Sequence, residues 1–417
     1  MKARDLLYLL AFILILNLVF GQLFGPRGKS SESPVISASS DIPAETVIYK
    51  NKLYTDSEGQ EQITAVSAVP SINARSACVI DFETGTVLYE KNAYVKRPMA
   101  STTKIMTAIL AIENCPLDAQ VPISGRAAGM GGSVMGLKAG SIVSMEDLLY
   151  GLLLASGNDA AVAIAEYCGG SVQDFVSMMN EKAKEIGAYE TNFANPHGLD
   201  AEGHYTTAYD LAKIARYALQ NPVFNKIVKT REYYFDGRVL KNTNEMLELY
   251  EGADGVKTGY TGLAGRCLVT SATRNNIRLI SVVLFCDSKS MRAQSSMKIL
   301  DYAFENYSYV ELLNSGVIMG RVPVRRARST DSIDAGVARD VKAILKNQEI
   351  DMLSTRVSLP AEIQAPVRKG TILGTVSVYR GDEIIGESPL IAMESAERKV
   401  FTDYLSQVVD NWLHIMF

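Results

Sequence analysis

The chain has 417 residues, of which 47% are hydrophobic, and its formal net charge is −4. A chain of this length can hold two domains, at least one of them with a sizeable hydrophobic core. The 42 basic residues are balanced by 46 acidic ones, which excludes the basic surplus typical of nucleic-acid-binding proteins.

The cysteines and histidines do not show the pattern of a cross-linked or metal-binding protein. Five cysteines are scattered without a Cys-x-x-Cys pair, and only three histidines are present. We therefore expect neither a disulfide framework nor a metal site. We interpret the cysteines as buried apolar residues. They are Cys78, Cys115, Cys168, Cys267 and Cys286.

Residues 1–25 are predicted to be a targeting segment. Residues 1–4 include two basic side chains, Lys2 and Arg4, and residues 6–20 form an apolar run of signal-peptide length. This run is shorter than the roughly 20 residues of a membrane span, and no Ala-x-Ala cleavage site follows it. Export is the expectation, while cleavage and retention as an anchor both stay open. Residues 26–71 are rich in Ser, Pro, Gly and charge, which predicts a flexible tether.

Residues 72–307 alternate between strand and helix patterns. A β-hairpin is predicted at residues 77–89, with its turn at residues 83–85. Helices are then predicted at residues 101–115, 145–154, 158–168, 172–186, 207–220 and 293–304. Two strands, residues 266–272 and 279–285, precede the last of these helices.

Ser101 opens the first apolar helical run, and Lys104 follows it three residues later. Residues at this spacing share a helix face, so the hydroxyl and the amine are within reach of each other. The helix N-terminus also favours developing negative charge. The four residues thus supply a nucleophile, a base and an oxyanion donor. Taken alone, the pattern also fits a capped helix followed by a solvated lysine.

Two further motifs follow in the chain. Ser156-Gly157-Asn158 interrupts two apolar helices, and Lys257-Thr258-Gly259 precedes the strand at residues 266–272. Alone, the first would be a helix-capping turn and the second an ordinary strand start. The order Ser-x-x-Lys, Ser-x-Asn, Lys-Thr-Gly resembles the motif set of the penicillin-binding proteins and serine β-lactamases.

The sequence around these motifs resembles the low-molecular-weight D-alanyl-D-alanine carboxypeptidases of serine peptidase family S11. The flanks that carry the likeness are residues 100–107, 156–161, 195–199 and 252–261. The resemblance implies an α/β (α+β) fold, with a β-lactamase/transpeptidase-like catalytic domain at residues 72–307. It also implies a small β-rich C-terminal domain at residues 308–395, where short alternating segments and turns agree with it.

The last segment, residues 396–417, is predicted to be an amphipathic helix. Val400, Phe401, Tyr404, Leu405, Val408, Val409, Trp412, Leu413 and Met416 form its apolar stripe. The resemblance implies that this helix lies on the outer face of the cytoplasmic membrane, where Trp412 suits the interface. Its polar face is not basic, however, so packing on its own domain or on a partner stays an alternative.

The resemblance also implies the chemistry. Ser101 attacks the carbonyl of the penultimate D-Ala of a peptidoglycan pentapeptide and forms an acyl-enzyme. Lys104 takes its proton, which requires an amine whose pKa is lowered by burial beside a second cation, Lys257. Ser156 relays a proton to the leaving D-Ala. The backbone N–H groups of Ser101 and Tyr260 form the oxyanion hole.

The remaining motif residues are implied to hold the substrate. Asn158 holds Lys104 and the substrate amide, while Lys257 and Thr258 bind the terminal carboxylate. Gly259 lets the peptide run beside the strand edge. No cofactor and no metal is implied, and β-lactam antibiotics are the expected inhibitors.

Several alternatives stay open at this point. A class A β-lactamase needs a Glu-x-x-x-Asn segment, and residues 192–198 lack its glutamate. A Ser-His-Asp triad lacks a Gly-x-Ser-x-Gly elbow, and we interpret His197 and His204 as structural. A wall-binding module would need no nucleophile, and transpeptidation is not excluded. The sequence does not assign a carboxylate-binding role to Arg238 or Arg266.

One departure from the family pattern concerns the loop of the second motif. Ala155 stands before Ser156 where many relatives have proline. This change could loosen the loop without removing the hydroxyl.

Overall fold

The computed structural model of the protein describes residues 45–50 and 68–416. The targeting segment predicted for residues 1–25 lies outside the described residues, as does most of the predicted tether.

The strands, in chain order, are β1 (Glu45–Lys50), β2 (Ser76–Asp81), β3 (Val87–Lys91), β4 (Gln120–Pro122), β5 (Ile142–Ser144), β6 (Glu232–Phe235), β7 (Arg238–Lys241), β8 (Ala253–Thr261), β9 (Gly265–Arg274), β10 (Ile277–Cys286), β11 (Tyr307–Leu313), β12 (Ile318–Arg325), β13 (Ser332–Val337), β14 (Val341–Lys346), β15 (Leu353–Leu359), β16 (Ile363–Gln364), β17 (Ile372–Arg380) and β18 (Glu383–Ala392). The α-helices are α1 (Lys104–Asn114), α2 (Gly125–Ala128), α3 (Met145–Leu153), α4 (Asn158–Gly169), α5 (Val172–Glu185), α6 (Ala208–Leu219), α7 (Pro222–Lys229), α8 (Met246–Leu249), α9 (Lys289–Asn306) and α10 (Phe401–Met416). Two 3₁₀ helices lie at Ala100–Thr103 and Asn347–Met352.

The first domain is built on a five-stranded antiparallel sheet in the order β3-β2-β10-β9-β8. Its strands come from both ends of the domain sequence, with the helices α1 to α8 between them, as predicted. The inner strands are buried on both faces because helices cover each side. Residues of α9 share one core with Leu268 and Leu279, whereas Val269 and Ile280 belong to the larger core on the opposite face.

Helix α1 runs through the middle of the larger core. Its first eight residues are all buried, because α1 packs against α3, α4 and α6. Several neighbouring helices begin where a side-chain oxygen accepts a free backbone N–H, as Ser144, Ser171 and Thr207 do at α3, α5 and α6. The predicted helices of this domain are confirmed. Their ends agree to within two residues, except at the N-termini of α1 and α9.

The second domain is built on a seven-stranded sheet in the order β1-β15-β17-β18-β13-β12-β16. Its strands alternate buried and exposed residues, for example along β12 and β15, so one face packs on a core. The β-rich prediction is confirmed. Residues 45–50 were predicted to be part of the flexible tether. They instead form β1, which pairs antiparallel with β15. Its sequence Glu-Thr-Val-Ile-Tyr-Lys is rich in strand-forming residues.

The two domains contact each other through β11, which follows α9 without an interruption. The Tyr309 hydroxyl donates a hydrogen bond of 2.6 Å to the Asp81 carboxylate at the end of β2. The other oxygen of Asp81 accepts the backbone N–H and the hydroxyl of Thr84. Burial and the Asp81 charge raise the pKa of Tyr309, so its hydroxyl stays protonated and keeps donating.

Helix α10 leaves the second domain with its apolar stripe facing outward. Ion pairing of Arg328 with Asp403 holds its first turn, at 3.2 Å. The exposed apolar side chains include Phe401, Tyr404, Leu405, Val408, Val409, Trp412 and Leu413. None of these side chains is buried against the part of the chain that the structure describes. Within residues 68–416, no helix has the length and apolar composition needed to cross a membrane.

The cysteine prediction is wrong for one pair. Cys115 and Cys168 form a disulfide across 53 residues of sequence. The physical reason is tertiary: α1 and α4 pack side by side, and their C-terminal ends bring the two sulfur atoms together. Cys78, Cys267 and Cys286 are free and buried, as expected.

Removing this disulfide should destabilise the protein. Because the crosslink closes a long loop, we expect Cys115→Ser/Cys168→Ser to lower the free energy of unfolding by about 2–4 kcal/mol. Urea denaturation of the purified, oxidised protein measures this value. Reductant should destabilise the wild type by a similar amount and leave the double variant unchanged. Equal stability of both proteins without reductant would contradict the prediction.

Candidate active site

The structure places Ser101 in a 3₁₀ turn, Ala100–Thr103, with α1 beginning at Lys104. The sequence predicted that Ser101 itself opens the α-helix. The turn is tightened by Ala100, whose φ of +49° is unusual for a residue with a side chain. Gly198 packs directly on this turn, since a Cβ atom there would lie 2.0 Å from the Ala100 carbonyl oxygen. The turn is therefore held by its surroundings as well as by its own sequence.

Lys104 lies at the centre of the site and its side chain is fully buried. Its Nζ lies 3.0 Å from Ser101 Oγ and 2.8 Å from Asn158 Oδ1, and it also contacts the His197 carbonyl oxygen. A neutral amine has two N–H donors and one lone pair. The two oxygens of Asn158 and His197 can only accept, so they take both N–H groups. In the neutral form of the amine, the lone pair then faces the Ser101 hydroxyl.

The charge state of Lys104 agrees with this arrangement. Burial is the largest effect and lowers the pKa of Lys104 well below its usual value, and the neighbouring Lys257 lowers it further. Asp159 acts in the opposite direction but does not reverse the shift. Lys104 is thus buried, and Lys257 contributes to the lowering of its pKa.

Asn158 has both ends of its amide fixed. Its Oδ1 accepts from Lys104, and its Nδ2 donates to the Gly131 carbonyl at 2.8 Å. The backbone N–H of Asn158 donates to the Ser133 carbonyl at 2.7 Å. These bonds join the start of α4 to residues 131–133, at the end of the glycine-rich loop. The orientation of the amide is thereby determined by the network.

Ser156 is buried between α3 and α4 and has a φ of +61°. Such a backbone conformation costs about 1 kcal/mol or more for a residue with a side chain and is typical of functional turns. Two backbone bonds hold this turn: Gly157 N–H donates to the Gly151 carbonyl, and Thr243 N–H donates to the Leu154 carbonyl. These bonds hold the turn although Ala155 replaces the expected proline.

Lys257, Thr258 and Gly259 lie within β8, where they pair with residues of β9. The sequence analysis placed them before a strand, and the structure places them inside one. Lys257 is buried, and burial, followed by the charge of Arg292, lowers its pKa to about 7. A Cβ at Gly259 would lie 3.0 Å from the Ser101 backbone nitrogen. The glycine thus lets β8 approach the Ser101 turn.

Tyr260 follows Gly259, and its ring is exposed beneath the Arg266 guanidinium, 3.6 Å from the ring centroid. Arg238 instead donates to the Gly136 carbonyl at 2.9 Å. The described contacts of both arginines are therefore with the protein itself. The assignment of the Ser101 and Tyr260 backbone N–H groups to an oxyanion hole stays a prediction.

His197 and His204, which the sequence analysis interpreted as structural, are both neutral. His204 Nε2 lies 2.8 Å from Thr103 Oγ1, and its Nδ1 accepts the Ala194 N–H. Burial lowers the pKa of His197 and of His204 to about 4. These contacts agree with a structural role, although the His197 carbonyl directly contacts Lys104, which the sequence did not indicate.

Asp159 is a further residue that the sequence analysis missed. Its buried carboxylate accepts the backbone N–H groups of Met135, Gly136 and Leu137. It thereby holds the loop that precedes β5 against the start of α4. An acidic residue directly after Asn158, in the first turn of a helix, was the only available signal.

Arg292 and Glu245 form a second arrangement that the sequence did not reveal. The Arg292 guanidinium is buried and bonds both carboxylate oxygens of Glu245 at 2.5 and 2.6 Å. Among residues 45–50 and 68–416, no group of three or more His, Cys, Asp or Glu side chains is placed to hold a metal ion.

Residues 62–288 match the D-alanyl-D-alanine carboxypeptidase family of S11 peptidases, and residues 307–398 match the C-terminal domain of penicillin-binding protein 5. The chain is 36% identical over 350 residues to the D-alanyl-D-alanine carboxypeptidase DacF of Bacillus subtilis, covering 81% of this chain and 90% of DacF. It is 33% identical over 367 residues to DacA of Escherichia coli, covering 84% of this chain and 91% of DacA.

Solved structures agree with these sequence relatives. Penicillin-binding protein 5 of Haemophilus influenzae superimposes with a TM-score of 0.67 at 30% identity, covering 80% of this chain and 100% of that one. The D-alanyl-D-alanine carboxypeptidase DacD of Francisella tularensis gives a TM-score of 0.65 at 30% identity, covering 84% of this chain and 100% of that one. The chain therefore belongs to the D-alanyl-D-alanine carboxypeptidases of serine peptidase family S11.

Proposed function

We propose that this serine carboxypeptidase removes the terminal D-Ala from peptidoglycan stem peptides through an acyl-enzyme on Ser101. The observation that carries the proposal is the bond network of Lys104. A buried amine with a lowered pKa lies 3.0 Å from the Ser101 hydroxyl, and its two N–H groups are directed to Asn158 and His197. An amine held in this way is a general base for the serine.

In the acylation step, Lys104 takes the Ser101 proton as Oγ bonds to the carbonyl carbon of the penultimate D-Ala. The backbone N–H groups of Ser101 and Tyr260 stabilise the oxyanion that forms. The bond to the terminal D-Ala nitrogen then breaks, and Ser156 relays a proton to this leaving amine. In the second step water attacks the ester carbonyl as Lys104 takes its proton. The bond to Ser101 Oγ then breaks, Lys104 returns the proton to Oγ, and the shortened peptide leaves.

The terminal carboxylate of the substrate binds Lys257 and Thr258, and the Asn158 amide contacts the substrate backbone. Gly259 allows the peptide to lie close to β8 and to the Ser101 turn. A carboxylate next to Lys257 favours its ammonium form, which supplies the charge for recognition. The enzyme therefore prefers peptides with a free C-terminus, because only these bring a carboxylate to Lys257. A β-lactam with its own carboxylate enters the same site and acylates Ser101.

The enzyme acts outside the cytoplasm, and α10 attaches it to the outer face of the cytoplasmic membrane. Support for export comes from the basic and apolar pattern of residues 1–25. Support for attachment comes from the exposed apolar stripe of α10, which includes Leu405, Val409 and Trp412. A helix with such a stripe buries it in the headgroup region of a bilayer.

The acyl-enzyme is tested by mass spectrometry of the purified ectodomain. Benzylpenicillin should leave a stable adduct on Ser101, and a peptide ending in D-Ala-D-Ala should lose one D-Ala. Because Ser101 supplies the nucleophile, Ser101→Ala should form no adduct and lower D-Ala release by roughly 10⁴-fold. Ser177→Ala, which changes an exposed serine of α5, is the matched control and should behave as the wild type.

Other results would identify the competing activities. Rapid penicillin turnover without D-Ala release would indicate a β-lactamase. Transfer of the acyl group to an added amine in preference to water would indicate a transpeptidase. Folded wild-type protein that gives neither adduct nor product would leave only a wall-binding module.

The lowered pKa of Lys257 predicts a pH dependence of ligand binding. With a pKa of about 7, Lys257 is mostly neutral at about pH 8, and a bound carboxylate must restore its charge. Binding of a D-Ala-D-Ala peptide to Ser101→Ala should therefore take up nearly one proton at about pH 8 and little at about pH 6. The dissociation constant should rise up to about tenfold per pH unit above neutrality.

Titration calorimetry in two buffers of different ionisation enthalpy measures this proton uptake. The same peptide with an amidated C-terminus is the control, because it brings no negative charge to Lys257. Equal uptake for both peptides, or none at about pH 8 for either, would contradict the assignment of Lys257 to the carboxylate.

Membrane attachment is tested with a matched pair of charge substitutions on α10. Leu405→Glu places a charge in the apolar stripe, and Gln407→Glu places the same charge on the polar face. Because burying a carboxylate in the bilayer interface is costly, Leu405→Glu should weaken binding to phosphatidylglycerol–phosphatidylethanolamine vesicles at least about tenfold. Gln407→Glu should bind nearly as the wild type does. Co-sedimentation measures both, and equal weakening by the two variants would argue against an interfacial helix.

A further inference from the structure

Thr243 makes a side-chain contact with the Lys-Thr-Gly motif that the proposed mechanism does not use. Its Oγ1 lies 2.8 Å from Thr258 Oγ1, and either hydroxyl can be the donor. Thr258 is buried, whereas Thr243 is exposed and lies between β7 and α8. The pair thus connects the strand that carries Lys257 to a separate surface segment.

Hydrogen bonds of Thr243 itself and of its neighbour Asn242 hold the backbone around Thr243. The Thr243 N–H donates to the Leu154 carbonyl, two residues before Ser156. The neighbouring Asn242 donates through Nδ2 to the carbonyls of Val228 and Thr230, at 3.1 and 2.9 Å. These bonds use backbone groups and a neighbouring side chain only. The Thr243 hydroxyl can therefore be removed without removing the bonds that hold its segment.

Which of the two hydroxyls, Thr243 or Thr258, donates to the other depends on the group that Thr258 faces. A carboxylate accepts hydrogen bonds and cannot donate them. When a substrate carboxylate reaches Thr258, the Thr258 hydroxyl must donate to it. The Thr243 hydroxyl is then the only member of the pair that can donate to the other, and it does so to Thr258 Oγ1. A hydroxyl that accepts one hydrogen bond donates a stronger one, because the chain of bonds is polarised.

We propose that Thr243 is a positioning residue that aligns and polarises the Thr258 hydroxyl for the C-terminal carboxylate of the substrate. This inference rests on the proposed binding of that carboxylate by Lys257 and Thr258, and it adds a specificity-determining residue to it. Thr243 acts through Thr258, and it contributes to the discrimination between substrates that have and lack a free carboxylate.

The test compares two substrates with full-length enzyme. One is a peptide ending in D-Ala-D-Ala, and the other is an N-acyl-D-alanine ester whose leaving group carries no carboxylate. Thr243→Val keeps the side-chain shape but removes the hydroxyl, and Thr243→Ser keeps the hydroxyl. We expect Thr243→Val to lower the ratio of kcat/KM for the peptide to kcat/KM for the ester by about tenfold, mainly through KM of the peptide. Thr243→Ser should restore at least about half of the wild-type ratio.

Thr230→Val is the matched control. The Thr230 hydroxyl bonds only to the Lys226 carbonyl at the end of α7 among the described contacts, so this variant loses a hydroxyl on the same surface without touching β8. It should keep the wild-type ratio. Thermal unfolding of each variant verifies folding, and Thr243→Ala replaces Thr243→Val if the valine protein does not fold.

The outcomes separate this inference from the proposed function. An unchanged ratio in folded Thr243→Val would overturn the role of Thr243, and so would an equal loss on both substrates, which would indicate a general effect on the Ser156 turn. A wild type that hydrolyses neither substrate would instead refute the proposed function, and the inference with it. A lowered ratio that Thr243→Ser restores supports the inference.

Discussion

The proposed chemistry depends on keeping the Lys104 amine neutral in the interior of the protein. Burial disfavours its charge, the neighbouring Lys257 disfavours it further, and the oxygens of Asn158 and His197 use both of its N–H groups. A solvated lysine at the same position would be an ammonium without a lone pair, and Ser101 would have no base. The tight packing of α1 is therefore a chemical requirement as well as a source of stability.

Three distant segments of the chain meet around Ser101 and Lys104, and each is held by different physical means. The Ser101 turn is held by the close approach of Gly198 and Gly259, where no Cβ fits without displacing neighbouring atoms. The Asn158 segment is held by hydrogen bonds to backbone carbonyls, and β8 is held by its pairing with β9. Positive φ angles at Ala100 and Ser156 show that the local backbone follows these outside contacts.

The sequence predicted most of this arrangement, and its failures have a common cause. The Ser101–Lys104 spacing, the two later motifs and the periodic helices are local signals. The structure confirms the helices and the contacts of Lys104 with Ser101 and Asn158. The disulfide of Cys115 with Cys168 and the pairing of β1 with β15 join residues far apart in the chain. Asp159 accepts hydrogen bonds from backbone N–H groups of another segment, and the Thr243 hydroxyl is hydrogen-bonded to the Thr258 hydroxyl. Such pairings are set by tertiary packing, which periodicity does not contain.

The disulfide also has a mechanical meaning for the site. Helices α1 and α4 run in the same direction. Lys104 and Asn158 touch at their N-terminal ends, and Cys115 and Cys168 are bonded at the other ends. With 11 and 12 residues, the two helices are stiff rods about 16–18 Å long. Helices that pack against each other along their length and are also bonded at one end separate less readily at the other end than helices that are only packed. The disulfide is thus remote from the site, yet it helps to keep Lys104, the proposed general base, close to the Asn158 amide.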